Sequence, residues 1–229
     1  MHLLNGVIIL DKPPGPSSAA ALNRVKRLLP RGTRIGHAGT LDPFASGVLL
    51  LLVGDATKSS QNVMDLPKSY DATVKLGANT PTDDIESEEI PVADAIPPSL
   101  LQIRHSTDEL TGIIQQVPPA FSAKKIAGRR ACDLIRQGKT IHLKPNSVRV
   151  DRIEILDWNW PLLKLRVDCG KGTYIRAIAR DLGRLLNTGG YLTELRRTGI
   201  GPFTIDKSVT LDRLAADGIK VHLRPANSP

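Results

Sequence analysis

Residues 34–53 read RIGHAGTLDPFASGVLLLLV and change from loop-forming to strand-forming sequence. Glycine, threonine, serine and proline recur up to Gly47, and these residues favour turns. The apolar run from Val48 to Val53 fits a buried strand. We therefore predict a loop over residues 34–47 that leads into a strand. Asp42 lies in that loop before a proline, where an aspartate either forms a turn or offers a carboxylate for catalysis.

The chain before this stretch predicts a strand, a loop and a helix. Gly6 to Leu10 (GVIIL) is rich in β-branched residues and predicts a short strand. The sequence DKPPGPSS follows, and its prolines exclude regular structure there. Ser17 or Ser18 then caps a helix that runs to about Leu29, because apolar residues recur on one helical face.

The chain after residues 34–53 predicts a mixture of helices and strands. Alternating residues predict strands, and capping residues followed by apolar residues at helical spacing predict helices. The predicted segments are a helix at 57–66, a strand at 69–77, a surface loop at 79–98, helices near 98–104 and 129–137, paired strands at 148–156 and 162–169, a helix from the cap Thr173 to about Leu186, a strand and turn at 192–203, and a short helix capped by Thr210. Strands and helices mix without a strict βαβ rhythm, so we predict the α+β class.

The composition indicates a globular protein with an ordinary core. Hydrophobic residues make up 41% of the 229 residues. No apolar run approaches the roughly 20 residues of a membrane span, and the N-terminus lacks a signal-peptide pattern. Cys132 and Cys169 have no CxxC spacing, which argues against a disulfide or a cysteine-based zinc site. We predict a reduced, cytoplasmic protein that is not associated with a membrane.

The net charge of +8 is unevenly distributed. Residues 1–60 carry seven basic and three acidic side chains, residues 61–120 carry three and ten, and residues 121–207 carry eighteen and eight. Clustered basic surface is expected for a protein that binds a polyphosphate such as a nucleic acid. The alternative from charge alone is a solvated basic surface without a partner.

Motifs for nucleotide, metal or serine-hydrolase chemistry are absent from the sequence. There is no GxGxxG and no GxxxxGK[ST]. The five histidines are scattered without the spacing of metal ligands, so we predict no metal site. No arrangement of serine, histidine and acid stands out.

Five ordered blocks of the chain together resemble the TruB family of pseudouridine synthases. The resemblance extends over residues 5–214. The blocks are GVIILDKPPGPSS with RIGHAGTLDPFASGVLLLLVGDATK, then KSYDATVKLGANTPTDD, VPPAFSAKKIAGRRACDLIRQGK, CGKGTYIRAIARDLG and LRRTGIGPF. An ordered set is far more specific than any single block. The sequence departs from the family at Ala131-Cys132, where an aromatic residue is expected after the basic pair.

The resemblance implies an isomerase that acts on tRNA. Members convert the T-loop uridine, uridine-55, to pseudouridine by breaking the N-glycosidic bond, rotating the base and rejoining it through carbon. This reaction needs no cofactor. The implied fold is a mixed, mostly antiparallel central sheet flanked by helices. We expect one catalytic domain over residues 1–229 and, since the chain ends at Pro229, no C-terminal PUA-like RNA-binding domain.

The resemblance also assigns roles to single residues. It makes Asp42 the catalytic carboxylate, Arg176 the cation that pairs with it, and Tyr70 the residue that stacks on the target base and moves a proton. Further residues are implied to bind the substrate or support the site, namely His37, which fills the space of the flipped nucleotide, Tyr174 and Leu195, which line the base pocket, Lys58, which contacts phosphate, and Lys12 with Pro13, which support the active-site loop. Ordinary core packing is the alternative for Tyr174 and Leu195.

Three functional hypotheses follow. The first is an active tRNA pseudouridine synthase that binds the T-arm of tRNA as a monomer, with no obligate protein partner. The second is a non-catalytic RNA-binding or RNA-folding protein on the same scaffold. The third is a guide-RNA-dependent enzyme, which would rely on protein partners and a PUA domain. The presence of Asp42, Tyr70, Tyr174 and Arg176 favours the first.

Overall fold

The structure is a computed structural model that describes residues 4–122, 125–126, 129–130, 135, 137 and 143–225. The chain forms two compact units. The first unit combines Met1–Tyr70 with Leu195–Pro229, and the second unit is the stretch Asp71–Glu194. Within the described ranges, no helix is long and apolar enough to cross a membrane.

Strands are formed mainly by the runs of branched and apolar residues, which pack well on a pleated surface. In chain order the described strands are β1 (Gly6–Lys12), β2 (Ile35–Ala38), β3 (Ser46–Val53), β4 (Lys68–Leu76), β5 (Ala78–Asn79), β6 (Ile90–Pro91), β7 (Gly112–Gln116), β8 (Lys125–Ile126), β9 (Arg129–Arg130), β10 (Asn146–Asn159), β11 (Leu162–Cys169), β12 (Gly190–Ile200) and β13 (Phe203–Thr204).

Helices begin at side chains that satisfy free backbone N–H groups. The hydroxyl of Ser17 accepts from Ala20, and the hydroxyl of Thr210 accepts from Arg213. The described α-helices are α1 (Ser18–Lys26), α2 (Ser60–Asp65), α3 (Leu100–Glu109), α4 (Ile175–Leu185), α5 (Leu211–Asp217) and α6 (Ile219–His222), and there are 3₁₀ helices at Gly54–Ser59 and Ile205–Lys207.

The first unit is built around β3. Strand β1 pairs with it antiparallel, β2 also pairs with it antiparallel, and the end of β12 runs parallel to its first residues. Strand β13 pairs antiparallel with β12. Every residue from Val48 to Val53 is buried, which explains why this strand is apolar throughout and does not alternate. Burying each of its leucines contributes about 1.5–3 kcal/mol to folding.

The second unit contains a sheet in the order β12-β4-β11-β10-β7. Strands β10 and β11 form an antiparallel hairpin, and β7 pairs antiparallel with β10. Helix α4 buries its apolar face, which includes Ile175, Ile178 and Leu182. Gly183 is required on this helix because a Cβ atom there would meet the backbone of Gly189 at 2.2 Å.

The predicted fold class is confirmed. The protein is α+β, with a mixed, mostly antiparallel sheet flanked by helices. The predicted strands at 6–10, 48–53, 69–77, 148–156 and 162–169 are present, and several are longer than predicted. The strand and turn at 192–203, the helix after Ser17 and the helix capped by Thr210 are also confirmed.

Several local predictions were wrong. The predicted loop 34–47 contains β2, because residues of low strand propensity gain hydrogen bonds by pairing with β3. Thr57 does not open a helix; its hydroxyl donates to the Gly54 carbonyl inside a 3₁₀ helix that precedes α2. Thr173 does not cap α4, since its hydroxyl donates to the Arg149 carbonyl and Tyr174 is the capping residue.

Two further segments differ from their predictions. The helix near 98–104 is present but extends to Glu109. The segment 129–137, predicted as a helix, begins with strand β9, which pairs with β8, and most of its remaining residues lie outside the described ranges. Cys169 is buried and forms no disulfide bond with a described residue. Cys132 lies outside the described ranges.

Candidate active site

The residue before Asp42 is fixed by a buried serine. The hydroxyl of Ser18, at the start of α1, accepts from the Leu41 N–H at 2.8 Å and donates to the Leu41 carbonyl at 3.0 Å. Both side chains are buried. A single hydroxyl therefore satisfies both backbone groups of Leu41 and restricts the direction in which the half-buried Asp42 leaves the loop.

The residue after Asp42 is fixed by a buried lysine. The Nζ atom of Lys12 donates to the carbonyls of Pro13 at 2.9 Å, Pro16 at 2.8 Å and Pro43 at 3.2 Å. The Gly15 N–H also donates to the Pro43 carbonyl, at 2.8 Å. Lys12 is fully buried, and such a charge is tolerated only when hydrogen-bonded. Lys12 and Pro13 thus lie at the loop that they were predicted to support.

Arg197 is a site residue that the sequence interpretation missed. It is 1% exposed. Its guanidinium donates to the Gly39 carbonyl at 2.8 Å and to the Val48 carbonyl at 2.8 Å, with a longer contact to Thr40 at 3.5 Å. The alternation of a strand could have indicated this residue, because positions two apart such as Leu195 and Arg197 share a face.

His37 is half-buried in β2, opposite Leu51 of β3. Its Nδ1 atom is buried and has no hydrogen-bond partner among the described residues. Burial, together with the nearby positive charge of Arg197, holds the pKa of His37 below its ordinary value. The ring is therefore neutral at physiological pH and offers a flat, weakly polar surface.

The other predicted site residues of the first unit lie in different environments. Tyr70 in β4 and Leu195 in β12 are both buried. Lys58 is 70% exposed in the 3₁₀ helix, and its Nζ lies 2.6 Å from Oδ1 of Asp55. Hydrogen bonding to Lys58 lowers the pKa of Asp55. A lysine in this position is accessible to a phosphate group.

Tyr174 and Arg176 belong to the second unit, at the start of α4. The Tyr174 N–H donates to the side-chain carbonyl of Gln116 at 2.9 Å, and the Gln116 amide donates back to the Tyr174 carbonyl at 3.2 Å. Arg176 is buried and donates to the carbonyls of Thr82 and Phe121, each at 3.0 Å. Its predicted pairing with Asp42 stays a prediction.

Two aspartates in the second unit were missed. Segment 79–98 was predicted to be mostly surface loop, but Asp84 is buried and pairs with Arg176 at 3.1 Å. Asp83 pairs with Arg180 at 3.0 Å, and burial raises its pKa despite that charge. Neither aspartate carries a signal in the sequence, because the arginines that pair with them lie more than ninety positions away.

In the first unit, the described contacts give a carboxylate, Asp42, in a loop whose backbone is held by Ser18, Lys12 and Arg197. Among the described residues, no group of three histidine, cysteine or acidic side chains could hold a metal ion.

Family models match most of the chain. Residues 26–175 match the model described as TruB family pseudouridylate synthase, N-terminal domain. Residues 176–225 match the model described as tRNA pseudouridylate synthase B C-terminal domain.

The chain belongs to the TruB family of pseudouridylate synthases.

Curated relatives agree with this assignment. A tRNA pseudouridine synthase B of Aromatoleum aromaticum is 47% identical over 215 residues, which cover 94% of this chain and 69% of the relative. A protein of the same name from Thermobifida fusca is 44% identical over 224 residues, covering 94% of this chain and 76% of the relative. The expectation of an isomerase of this family is therefore confirmed.

Solved structures support the fold. The chain is similar to one in a crystal structure of a Cbf5-Nop10-Gar1 complex, with a TM-score of 0.73 and 31% identity. It is also similar to a chain in the structure of an H/ACA RNP bound to a substrate RNA containing 2′-deoxyuridine, with a TM-score of 0.70 and 29% identity. Each match covers 94% of this TruB-family chain but only 55% and 54% of the solved chains.

Proposed function

We propose that this TruB-family chain isomerises the T-loop uridine of tRNA, uridine-55, to pseudouridine, and that Asp42 is the catalytic carboxylate. The observation that carries the proposal is the fixed backbone on both sides of Asp42. Ser18 holds Leu41, and Lys12 with Gly15 holds the carbonyl of Pro43. A turn-forming aspartate needs no such support, whereas a catalytic group must be held close to its productive geometry.

A carboxylate suits the bond changes of this reaction. The bond between N1 of uracil and C1′ of ribose breaks, the base rotates, and a bond forms between C5 and C1′. The proton on C5 then leaves, and N1 gains one, so substrate and product are isomers and no oxidant or reductant is consumed. Asp42 would act as base or nucleophile and stabilise the electron-poor sugar while the base is detached.

Arg176 is proposed to keep the Asp42 carboxylate ionised and oriented, as a cation does for a neighbouring acid. The burial of Arg176 and its contacts with Asp84, Thr82 and Phe121 support a fixed role over a mobile surface role. A guanidinium that is held on one side by a carboxylate and two carbonyls has little freedom to reorient.

The aromatic and apolar residues are proposed to receive the flipped base, because chemistry on a base in a folded RNA requires that the base leave its stack. Tyr70 would stack on the uracil and carry a proton, Leu195 would cover its apolar face, and Tyr174 would line the same pocket. His37 would occupy the vacated space. Its neutral ring suits stacking between bases, since a charged ring would cost more to desolvate.

Exposed basic side chains are proposed to bind the RNA backbone. No acidic residue lies between Asp11 and Asp42. That interval includes five exposed cations on α1 and the turn after it, namely Arg24, Lys26, Arg27, Arg31 and Arg34. Lys58, also exposed, would add a phosphate contact. A surface of one charge sign attracts a polyanion and raises its rate of association.

Two other functions are alternatives. A non-catalytic RNA-binding protein would keep the basic surface but would not isomerise uridine. A subunit of a guide-RNA complex is favoured by the likeness to one chain of a Cbf5-Nop10-Gar1 complex and to one chain of an H/ACA RNP. The curated relatives named tRNA pseudouridine synthase B are more similar in sequence, so we rank a monomeric enzyme without an obligate protein partner first.

A tritium-release assay tests the proposal. The purified chain alone is incubated with a T-arm RNA hairpin labelled with tritium at C5 of uridine, because C5 loses its hydrogen when it bonds to C1′. Carbodiimide mapping then locates the modified nucleotide. A hairpin with cytidine at the target position is the control substrate.

Release of tritium with modification at the T-loop uridine alone supports the proposal. Tight binding without release would favour the non-catalytic function. Release that appears only after a guide RNA and further proteins are added would favour the complex.

A further inference from the structure

We infer that Arg197 is a positioning residue of the reaction, which holds the Asp42 loop in its working conformation through backbone carbonyls on both sides of the carboxylate. The inference rests on the proposed role of Asp42. Arg197 is buried in β12, 155 positions after Asp42 in the chain. It acts on the loop backbone, not on the substrate.

The guanidinium spans the loop. It donates to Gly39 and, more weakly, to Thr40 before the aspartate, and it donates to Val48 after the aspartate. The planar fork of an arginine side chain can direct several N–H groups to fixed acceptors at once, whereas an ammonium group is a single point charge. The contacts thus fix the distance between the two ends of the segment that carries Asp42.

The backbone of Arg197 is in register with the same segment. In the parallel pairing of β12 with β3, Arg197 lies opposite Gly47. A Cβ atom at Gly47 would lie 2.2 Å from the carbonyl oxygen of Arg197, so only glycine allows this approach. Gly39 lies beside the guanidinium, where a Cβ atom would make only an ordinary contact at 3.5 Å from Nη1, and it is its φ of +79° that favours glycine there. Gly47 therefore allows the backbone of β12 to approach this segment closely at the residue whose side chain holds the loop.

The charge environment of Arg197 indicates that this residue orients the Asp42 loop more than it stabilises the fold. In the part of the chain that the structure describes, no carboxylate forms an ion pair with it. A buried charge neutralised only by carbonyl dipoles is a costly way to fill space, and an apolar side chain of similar size is often tolerated at such a position. Its charge also contributes to keeping the neighbouring His37 neutral.

The test compares Arg197→Met, Arg197→Lys and the matched control Arg196→Met in the tritium-release assay. Arg196 is the adjacent residue of β12, half-exposed and paired with Asp11 at 2.8 Å. Circular dichroism and urea unfolding establish that each variant is folded. RNA affinity is measured on the same hairpin, so that kcat and binding are separated.

Arg197→Met is expected to lower kcat about 100-fold, as misplacement of a catalytic group by about 1 Å does, while the Kd for RNA changes by less than about threefold. Arg197→Lys is expected to retain about a tenth to a quarter of the wild-type kcat, because an amine reaches only part of the same carbonyls. Arg196→Met should stay within about threefold of wild type in both quantities.

A kcat for folded Arg197→Met within about threefold of wild type would overturn the inference, as would a parallel loss of kcat and affinity. If Arg197→Met does not fold, Arg197→Lys decides by the same criteria, with a loss of kcat at unchanged Kd in support. The wild type and Asp42→Asn are assayed in parallel. An inactive wild type would refute the proposed function, whereas an active wild type with an equally active Arg197→Met would refute only the positioning role.

Discussion

Arg176 Nη1 lies 3.1 Å from Asp84 Oδ2, and their side chains are 5% and 1% exposed. Two charges at this depth lose most of their hydration, and only their mutual attraction and further hydrogen bonds offset that loss. Asp84 is supported by the Glu86 N–H at 2.9 Å, and Arg176 is supported by the carbonyls of Thr82 and Phe121. The start of α4 is therefore anchored to the segment that follows β5.

Replacing Asp84 with asparagine should destabilise the protein by about 3 kcal/mol, because it removes the carboxylate charge that Asp84 places against the buried guanidinium of Arg176. Urea unfolding followed by circular dichroism measures the change. The control is Asp71→Asn in the same unit, where the pair with Arg166 is exposed and should contribute less than about 1 kcal/mol. Equal losses of unfolding free energy in Asp84→Asn and Asp71→Asn would contradict the claim that burial makes the Asp84–Arg176 pair more important for stability.

Asp42→Asn should abolish turnover while RNA binding is retained. The substitution keeps size and hydrogen-bonding capacity but removes the negative charge, and we expect turnover to fall by about three orders of magnitude or more. Tritium release and filter binding on the T-arm hairpin measure the two quantities. Asp212→Asn, at an exposed position of the same unit, is the control. If Asp42→Asn kept its activity within about tenfold of wild type, which corresponds to ~1.4 kcal/mol of activation barrier, Asp42 would not be the catalytic carboxylate.

Two substitutions of Tyr70 distinguish base stacking by its ring from proton transfer by its hydroxyl. Tyr70→Phe keeps the ring and removes the hydroxyl, whereas Tyr70→Ala removes both. We expect slow turnover in both variants and weaker RNA binding only in Tyr70→Ala, by about 1–3 kcal/mol for the lost stacking on one base. Because Tyr70 is buried in β4, the folded state of Tyr70→Ala must be checked by thermal unfolding. Wild-type turnover by Tyr70→Phe would exclude a chemical role for the hydroxyl.

Secondary structure could be predicted where the hydrophobic pattern of a segment reflects which of its own residues are buried. Strand β3 is buried on both faces and apolar from Val48 to Val53, and β10 with β11 alternates as a half-buried hairpin does. The capping serine of α1 and capping threonine of α5 were found because their hydroxyls act within three residues of chain. Sequence patterns contain such local information.

Features that depend on distant partners were not predictable in this way. Strand β2 exists because β3 supplies its hydrogen bonds, although IGHA has no strand pattern of its own. Asp84 lies in an acidic stretch that predicts a surface loop, and its burial depends on Arg176. For the candidate site, the family resemblance named Asp42 and its loop, but the residues that fix the loop backbone, Ser18 and Arg197, came only from the structure.

The protonation of His37 gives a prediction about pH. Its folded-state pKa is lowered by burial and by Arg197, so protonation below the ordinary value of 6.5 favours the unfolded state. The contribution of His37 to stability is therefore complete above pH 6.5 and is lost as the pH falls through the folded-state pKa. NMR titration of labelled histidines, with His37→Gln to assign the signal, should give a midpoint below 6.5. A midpoint at or above that value would contradict the proposed neutral ring.

The basic segment of the first unit gives the last prediction. Arg24, Lys26, Arg27, Arg31 and Arg34 are exposed, and the described residues give none of them an ion pair. If they contact phosphates, RNA binding should weaken steeply with salt, because each neutralised phosphate releases counterions. The double variant Arg27→Glu/Arg31→Glu should then weaken binding and reduce the slope of log K against log salt by about 2.

The control for this variant is Arg104→Glu/Lys220→Glu, which makes the same change in net charge at exposed positions on α3 and α6. Fluorescence anisotropy with the T-arm hairpin, from low to moderate salt, measures affinity and slope for both. A general effect of net charge would weaken RNA binding equally in the two double variants, since it depends on total charge and not on position. If residues 24–34 form the contact surface, Arg27→Glu/Arg31→Glu lowers the affinity and the slope, and the slope of Arg104→Glu/Lys220→Glu stays near that of wild type. Equal slopes in both variants would show that the RNA backbone binds elsewhere.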